Sequence, residues 1–177
     1  MSAPASAAPA ASPPRAAADA PAVTAVPVPT GSLAAGLLPR VDFADAWAAI
    51  LPPGAGRDPR AWARAVFVSP PRWVTAALRL RNAVVAPLGL RTPRSAATGF
   101  PEIARDEREV VLGLDDRHLD FRVSVMVDER PDGGAALVVS TFVRLRNAAG
   151  RAYFAPVRLV HGPIVRAMVG HAVAPYA

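Results

Sequence analysis

Two residues of this 177-residue chain, His161 and Asp45, have the chemistry and the surroundings for acid–base work. His161 lies in an apolar C-terminal segment, where a helical period of about 100° per residue places it inside the apolar face. Asp45 alternates with Phe43 and Trp47 and would share their face of a strand. Because histidine titrates near neutral pH, a His161–Asp45 pair would have the composition of an acid–base dyad.

Both residues also have a purely structural explanation. A buried imidazole needs a hydrogen-bond partner, and His161 would then be a core histidine that has found one. Asp45 would form an ion pair, with Arg64, Arg81 or His161 as the cation, or would lie exposed at the end of its strand. The functional interpretation makes His161, together with Asp45, the polar anchor of a ligand cavity.

No other group of residues indicates a catalytic or cofactor site. The three histidines are scattered and cysteine is absent, so we predict no metal site. A GxSxG nucleophile motif is missing, and the GAG sequence at 54–56 lacks the third glycine and the strand of a dinucleotide fingerprint. We therefore predict no cofactor and assign no catalytic residue. A non-enzymatic role is favoured, with proton transfer by His161 and Asp45 left open.

Charge is distributed unevenly along the chain, whose formal net charge is +6. Residues 57–94 contain eight arginines and one acid, whereas residues 102–132 contain ten acids and five arginines. We interpret these segments as solvated faces that attract each other within one fold. The alternative is an anion-facing surface on the helices. Nucleic-acid binding is not expected, because the arginines spread around both predicted helices and Trp73 belongs to an apolar stripe.

The first 38 residues are rich in proline, alanine and serine and contain few large apolar side chains. We predict that residues 1–38 are a disordered leader and that residues 39–177 form a single domain. The N-terminus lacks the basic and apolar regions of a signal peptide. Prolines interrupt the uncharged run at 21–39, which excludes a membrane-spanning helix there. We expect a cytoplasmic protein.

The secondary structure follows from periodicity and from proline positions. A strand is predicted at 41–47, then a short helix from Asp58 to Phe67 and a longer helix over 72–85, whose apolar stripe is Trp73, Ala77, Leu80 and Val84. Strands are predicted at 109–114, 119–127 and 137–145, with the turn signal PDGG at 131–134 between the last two. The face formed by His118, Asp120, Arg122 and Ser124 is expected to be solvated.

A long helix over about 151–173 ends the chain, and Pro156 and Pro163 are expected to lie at the edge of its apolar face. That face comprises Tyr153, Phe154, Val157, Val160, Ile164, Val165 and Met168. The resulting fold class is α+β of the helix-grip type, a curved antiparallel sheet wrapped around the C-terminal helix. Its cavity would be lined by His161, Asp45, Trp47, Phe121, Val123, Val143, Tyr153, Val157, Ile164 and Met168.

Five segments, in this order, resemble the bacterial domain-of-unknown-function family 2867. They are DPRAWARAVF (58–67), PPRWV (70–74), LRNAVVAPLGL (80–90), EVVLGLDDRHLDFRVSV (109–125) and GRAYFAPVRLVHGPIVRAM (150–168). The resemblance spans about residues 41–170 and implies a helix-grip fold similar to START-like and birch-pollen-allergen-like proteins. Family members also occur fused behind short-chain-dehydrogenase-like domains. The family implies no particular activity.

Three functions remain open at this point. The first is a module that binds an apolar small molecule in a cavity between the sheet and the C-terminal helix. The second is a non-catalytic partner domain, either a homodimer or a companion of an oxidoreductase, which would expose an apolar patch on the terminal helix or an edge strand. The third is an enzyme that uses His161 and Asp45 for proton transfer.

Overall fold

The computed structural model describes residues 21–68, 70–85 and 100–176. Its centre is an open, curved sheet of six strands, in which every neighbouring pair is antiparallel. The strands are β1 (Val23–Ala25), β2 (Phe43–Leu51), β3 (Glu102–Arg105), β4 (Glu109–Asp115), β5 (Leu119–Glu129) and β6 (Ala135–Leu145), in the spatial order β1-β2-β6-β5-β4-β3. The predicted α+β class with an antiparallel sheet is confirmed. Strand β3 was not predicted.

Helices α1 (Pro59–Val68) and α3 (Ala148–Val173) cover the inner face of this sheet, and α2 (Arg72–Val85) packs against α3. Helix α3 continues through Pro156 and Pro163, as the sequence predicts, and Asn147 caps its start by accepting a 2.9 Å hydrogen bond from the Gly150 N–H. A 3₁₀ turn, Ala174–Tyr176, follows. None of the helices in the described residues is long and apolar enough to cross a membrane.

Helix α3 runs along β2, and three contacts mark its course. Phe154 meets Phe43, Gly162 lies against Trp47, and Gly170 approaches Val23 on the adjoining β1. Helix α1 packs beside α3 and against β4 and β5. The core lies between the sheet and the helices. Alternate residues of the strands point into it, and the inner face of α3 packs against them. Its members include Leu112, Val123, Val125, Val127, Leu137 and Val139 from the strands and Val165, Met168 and Val169 from α3. This confirms the alternation predicted for β5 and β6.

Two predicted helix faces are wrong in part. Trp73 is 52% exposed and the adjacent Val74 is fully buried, so the packed side of α2 is shifted by one residue. The side chains of Leu80 and Val84 lie outside the described residues. Val160 is 53% exposed, although it was predicted to lie on the apolar face of α3. The sheet covers a narrower arc of α3 than the apolar residues occupy, and Val160 lies beyond its edge.

Residues 21–38, the second half of the segment predicted to be a leader, have defined structure, and residues 1–20 lie outside the described residues. Val23 pairs with Ala49 as part of β1. The chain then crosses the outer face of the sheet as residues 26–38, which we call the strap. It begins with a 3.0 Å hydrogen bond from the Val26 N–H to the Ala46 carbonyl, and it includes a 3₁₀ turn at Leu33–Gly36.

The strap is ordered because the outer face of the sheet is itself apolar and needs cover. The side chains that it covers or joins in this second core are Ala46, Val111, Met126, Val138 and Phe142. The buried Glu109 carboxylate fixes its position by accepting hydrogen bonds from the Ser32 hydroxyl at 2.6 Å and from the Leu33 N–H at 2.8 Å. The strap can therefore be ordered although its composition is of low complexity, because the outer face of the sheet supplies most of the apolar area that is buried.

The polar face of β5 is buried, contrary to the expectation of a solvated surface. Asp120, Arg122 and Ser124 are all inaccessible. Asp120 is neutralised by Arg146 at 2.8 Å and by Arg144 at 3.5 Å. Arg122 pairs with Asp115 at 2.7 Å. Alternation in the sequence separates the two faces of a strand but does not show which of them is buried. The polar face of β5 is buried because residues of β6 and of the strap cover it.

Candidate functional site

His161 and Asp45 meet where α3 crosses β2 and β6. Asp45 on β2 pairs in register with Thr141 on β6, so their side chains stand next to each other on the inner face. The Nε2 atom of His161 lies 3.3 Å from Oδ1 of Asp45 and 3.1 Å from the Thr141 hydroxyl oxygen. The structure therefore brings together the two residues whose pairing the sequence proposed, and it adds Thr141.

The contacts of Nε2 indicate where the imidazole proton lies. A carboxylate only accepts hydrogen bonds, so the geometry assigns the proton of a neutral His161 to Nε2, which donates towards Asp45. Nδ1 then carries the lone pair, and it has no hydrogen-bond partner among the described residues. The ring thus keeps one acceptor nitrogen that the protein around it does not use.

Trp47 fixes the second oxygen of Asp45. Its indole N–H donates to Oδ2 at 3.1 Å, so both carboxylate oxygens of Asp45 accept a hydrogen bond. The same indole ring lies against Gly162, the residue after His161, where a Cβ atom would be only 2.8 Å from a ring carbon. Glycine at this position lets α3 approach Trp47 closely, and that approach sets the distance between His161 and Asp45.

Aromatic rings form the apolar side of the site. Phe43 meets the His161 ring edge to face, with 5.8 Å between ring centroids, and it meets Phe154 at 5.1 Å. Val143 lies opposite Phe43 on β6, and Val157 precedes His161 by one helical turn. The polar group therefore stands at the edge of an apolar surface.

The site is neither sealed nor fully open. The side chain of His161 is 19% exposed and that of Asp45 is 22% exposed. His161 thus has the hydrogen-bond partner that the structural interpretation requires. Its side chain is also accessible to solvent, and a ligand would need the same access. The arrangement can hydrogen-bond a small molecule and can exchange a proton with it.

The deeper residues of the predicted cavity are packed in the core. Val123 and Met168 are buried within the main apolar cluster, with Ile164 packed against it, and Tyr153 is buried near the start of α3. Phe121 stacks edge-on with Phe100, with centroids 4.8 Å apart. Only some of the predicted cavity residues therefore reach both the His161–Asp45 pair and solvent.

Besides Phe43, which the sequence placed on the strand face of Asp45 but not in the predicted cavity, three contributors to the site were missed. Thr141 had a detectable signal, because it is the one polar residue among the inward positions of β6: Leu137, Val139, Thr141, Val143 and Leu145. Phe154 was predicted as a packing residue only, and Gly162 was not singled out. The roles of both depend on the close approach of α3 to β2, which no local pattern encodes.

Other features of the described residues do not add to this site. No group of three or more histidine, cysteine, aspartate or glutamate side chains among them is arranged to hold a metal ion. An open surface recess of about 520 Å³ lies between the start of α1 and the β3–β4 turn, lined by Asp58, Pro59, Arg60, Arg105, Asp106 and Glu107. It contains none of the predicted site residues.

The family model for proteins of unknown function DUF2867 matches residues 37–168. The chain belongs to this family. The DUF2867 match includes Asp45, Trp47, Thr141 and His161, and so covers the whole candidate site. It leaves out β1 and most of the strap, which are therefore additions to the part that the family model describes. No curated protein and no solved structure matches the chain.

Proposed function

We propose that this DUF2867 chain binds a small, largely apolar molecule at the His161–Asp45 site. The observation that carries the proposal is the His161 imidazole itself, which is held by Asp45 and Thr141 through Nε2 while Nδ1 has no partner among the described residues. A polar anchor of this kind beside aromatic rings is the usual composition of a ligand site.

The geometry favours a ligand with one hydrogen-bond donor and an apolar body. The donor, a hydroxyl or an N–H group, would meet the lone pair of Nδ1. The apolar part would lie against Phe43 and the neighbouring aromatic surface. Entry is at the partly exposed side of His161, because Val123 and Met168 close the interior beneath it.

Thermal-shift screening of apolar metabolites that carry a hydroxyl or N–H group tests this proposal. A ligand that binds the folded state alone raises the melting temperature, and the stabilisation grows with the logarithm of the ligand concentration once that concentration exceeds Kd. The chain has only three histidines, so imidazole resonances can then locate the bound ligand. We expect the His161 resonances to shift on binding.

The matched variants are His161→Gln and His171→Gln. His171 lies exposed near the end of the same helix, so its replacement controls for the loss of an imidazole from α3. Affinity should fall about tenfold or more in His161→Gln and stay unchanged in His171→Gln. Equal affinity in the two variants, with both folded, would show that the ligand binds elsewhere.

Proton transfer at the same site is the second candidate function, and the 3.3 Å contact between His161 and Asp45 favours it. Nδ1 would accept a proton from the ligand while Asp45 stabilises the resulting imidazolium. Asp45→Asn keeps the shape of the site, so we expect it to retain ligand binding and to lower any turnover about a hundredfold. Turnover that is equal in wild type and variant would contradict a catalytic dyad.

The partner-domain alternative stays a prediction. It expected an exposed apolar patch on the terminal helix, and Leu159 and Val160 of α3 are exposed. The arginines around these two residues, however, favour a binding partner other than a second copy of this chain.

A further inference from the structure

All charged residues in the three helices, apart from histidine, are arginines. Helices α1, α2 and α3 contain eight arginines and no acid: Arg60, Arg64, Arg72, Arg79, Arg81, Arg151, Arg158 and Arg166. Every acidic residue of the described part lies on a strand or in a connecting loop. Arg60 pairs with Glu102 at 3.0 Å, whereas Arg158 and Arg166 form no ion pair with a described residue. Helix α3 therefore exposes basic side chains that no acid among the described residues neutralises.

Apolar side chains project from the same side. Leu159 is 72% exposed, and at about 100° per residue it points almost directly away from His161, which faces the sheet. Arg166 follows Leu159 by two turns and projects in nearly the same direction, while Arg158 and the exposed Val160 flank Leu159 at about 100° on either side. Helix α2 contacts α3 and exposes Trp73. We call the exposed side of α3 around Leu159 the outer α3 face.

The chemistry of the outer α3 face decides among its occupants. A second copy would bring arginines against arginines across a two-fold axis, so self-association is disfavoured. A nucleic acid would satisfy the arginines but has no apolar surface for Leu159 and Val160. An anionic bilayer satisfies both groups, because guanidinium groups bind lipid phosphates and aliphatic side chains enter the region beneath the headgroups.

We propose that the outer α3 face docks onto an anionic membrane surface. Arg158 and Arg166 would bind lipid phosphates while Leu159 and Val160 enter the bilayer interface. The outer face of the sheet, with Glu109 and Asp120, would then face away from the membrane. This contact does not involve the His161–Asp45 site, which lies on the sheet-facing side of α3.

Sedimentation with lipid vesicles tests this proposal on the full chain. Vesicles of phosphatidylcholine alone are compared with vesicles containing about one third phosphatidylglycerol, at low and at high salt. We expect binding to the anionic vesicles only, weakened by salt. Leu159→Glu should reduce that binding about tenfold or more, and Arg166→Gln about fivefold.

Two matched variants control for the general loss of an apolar or a basic side chain. Ile50→Glu replaces an apolar residue that is 55% exposed on β2, and Arg117→Gln removes an exposed arginine from the β4–β5 turn. Both should bind anionic vesicles as wild type does. Failure of the wild-type chain to bind these vesicles, or equal binding by Leu159→Glu and Ile50→Glu, overturns the proposal. Binding to duplex DNA that Leu159→Glu leaves unchanged, without binding to vesicles, would instead identify a nucleic-acid surface.

Discussion

The indole ring of Trp47 fills the space that a side chain at Gly162 would need, with a ring carbon 2.8 Å from the position of a Cβ atom. This contact joins β2 to α3 at the level of the candidate site. His161 precedes Gly162, and Asp45 lies two residues before Trp47 on the same face of β2. The separation of helix and strand at this one point therefore controls whether the imidazole reaches the carboxylate.

Gly162→Ala should destabilise the protein, although alanine favours a helix interior by about 1 kcal/mol over glycine. The added methyl group cannot fit unless the Trp47 ring or α3 moves, and overpacking of this kind costs about 1–3 kcal/mol. Chemical denaturation measures the net loss. The His161 imidazole resonances should shift as well, because the Asp45 contact lengthens.

Gly170→Ala is the control for that experiment. Gly170 lies in the same helix, and a Cβ atom there would meet Val23 at 3.4 Å, an ordinary contact. This variant should be as stable as wild type or up to about 1 kcal/mol more stable. A gain in stability in Gly162→Ala equal to that in Gly170→Ala would show that Trp47 does not fix the helix position.

Ser32→Ala should release the strap from the outer face of the sheet. The buried Glu109 carboxylate would lose its 2.6 Å hydrogen bond from the Ser32 hydroxyl and keep the one from the Leu33 N–H. Leaving a buried carboxylate oxygen without this donor costs about 1–3 kcal/mol. Amide hydrogen exchange should therefore become faster at residues 32–38 before it changes in α3.

Thr30→Ala removes a hydroxyl from an exposed position two residues earlier and serves as the control for the strap. It should change neither stability nor exchange. If Ser32→Ala destabilised the whole molecule with no local change in exchange, the strap would unfold together with the sheet rather than independently of it.

The elements that periodicity could predict were those with long, regular patterns. Helix α3 runs for several turns, and strands β5 and β6 each alternate over about ten residues. Their types and their inward faces could therefore be predicted from the sequence. The proposal that His161 pairs with Asp45 followed from the same patterns. The choice between Trp73 and Val74 did not, because both are apolar and only the contact with the rest of the core selects one.

Features that depend on tertiary contact were not predictable from local pattern. Thr141 reaches His161 because β6 pairs with β2 in one register, and that register is a property of the assembled sheet. The strap has almost no periodicity, and its order comes from Glu109 and the apolar surface beneath it. Asp120 looked solvent-facing because its partners Arg144 and Arg146 lie on and just beyond another strand.

Asp42 should make the stability of the fold depend on pH in the acid range. The Leu145 N–H donates to its carboxylate at 2.6 Å, and this hydrogen bond, with the neighbouring Arg40, lowers the pKa of Asp42 below its ordinary value. The ionised form is therefore favoured in the folded state. The resulting stabilisation is present above the pKa of the unfolded chain and is lost as the pH falls through the lower pKa of the folded state.

Asp42→Asn measures this contribution. At neutral pH we expect the variant to be less stable by about 1 kcal/mol, because a neutral amide oxygen accepts the Leu145 hydrogen bond less strongly and has no attraction to Arg40. The difference from wild type should begin to shrink as the pH falls below about 4, where Asp42 of the unfolded chain becomes protonated, and should vanish once the pH has also passed the lower pKa of the folded state. Asp128→Asn, at an exposed position on β5, is the control and should show no such convergence. A difference between wild type and Asp42→Asn that stays constant from neutral to acid pH would mean that the carboxylate charge does not stabilise the junction of β2 and β6.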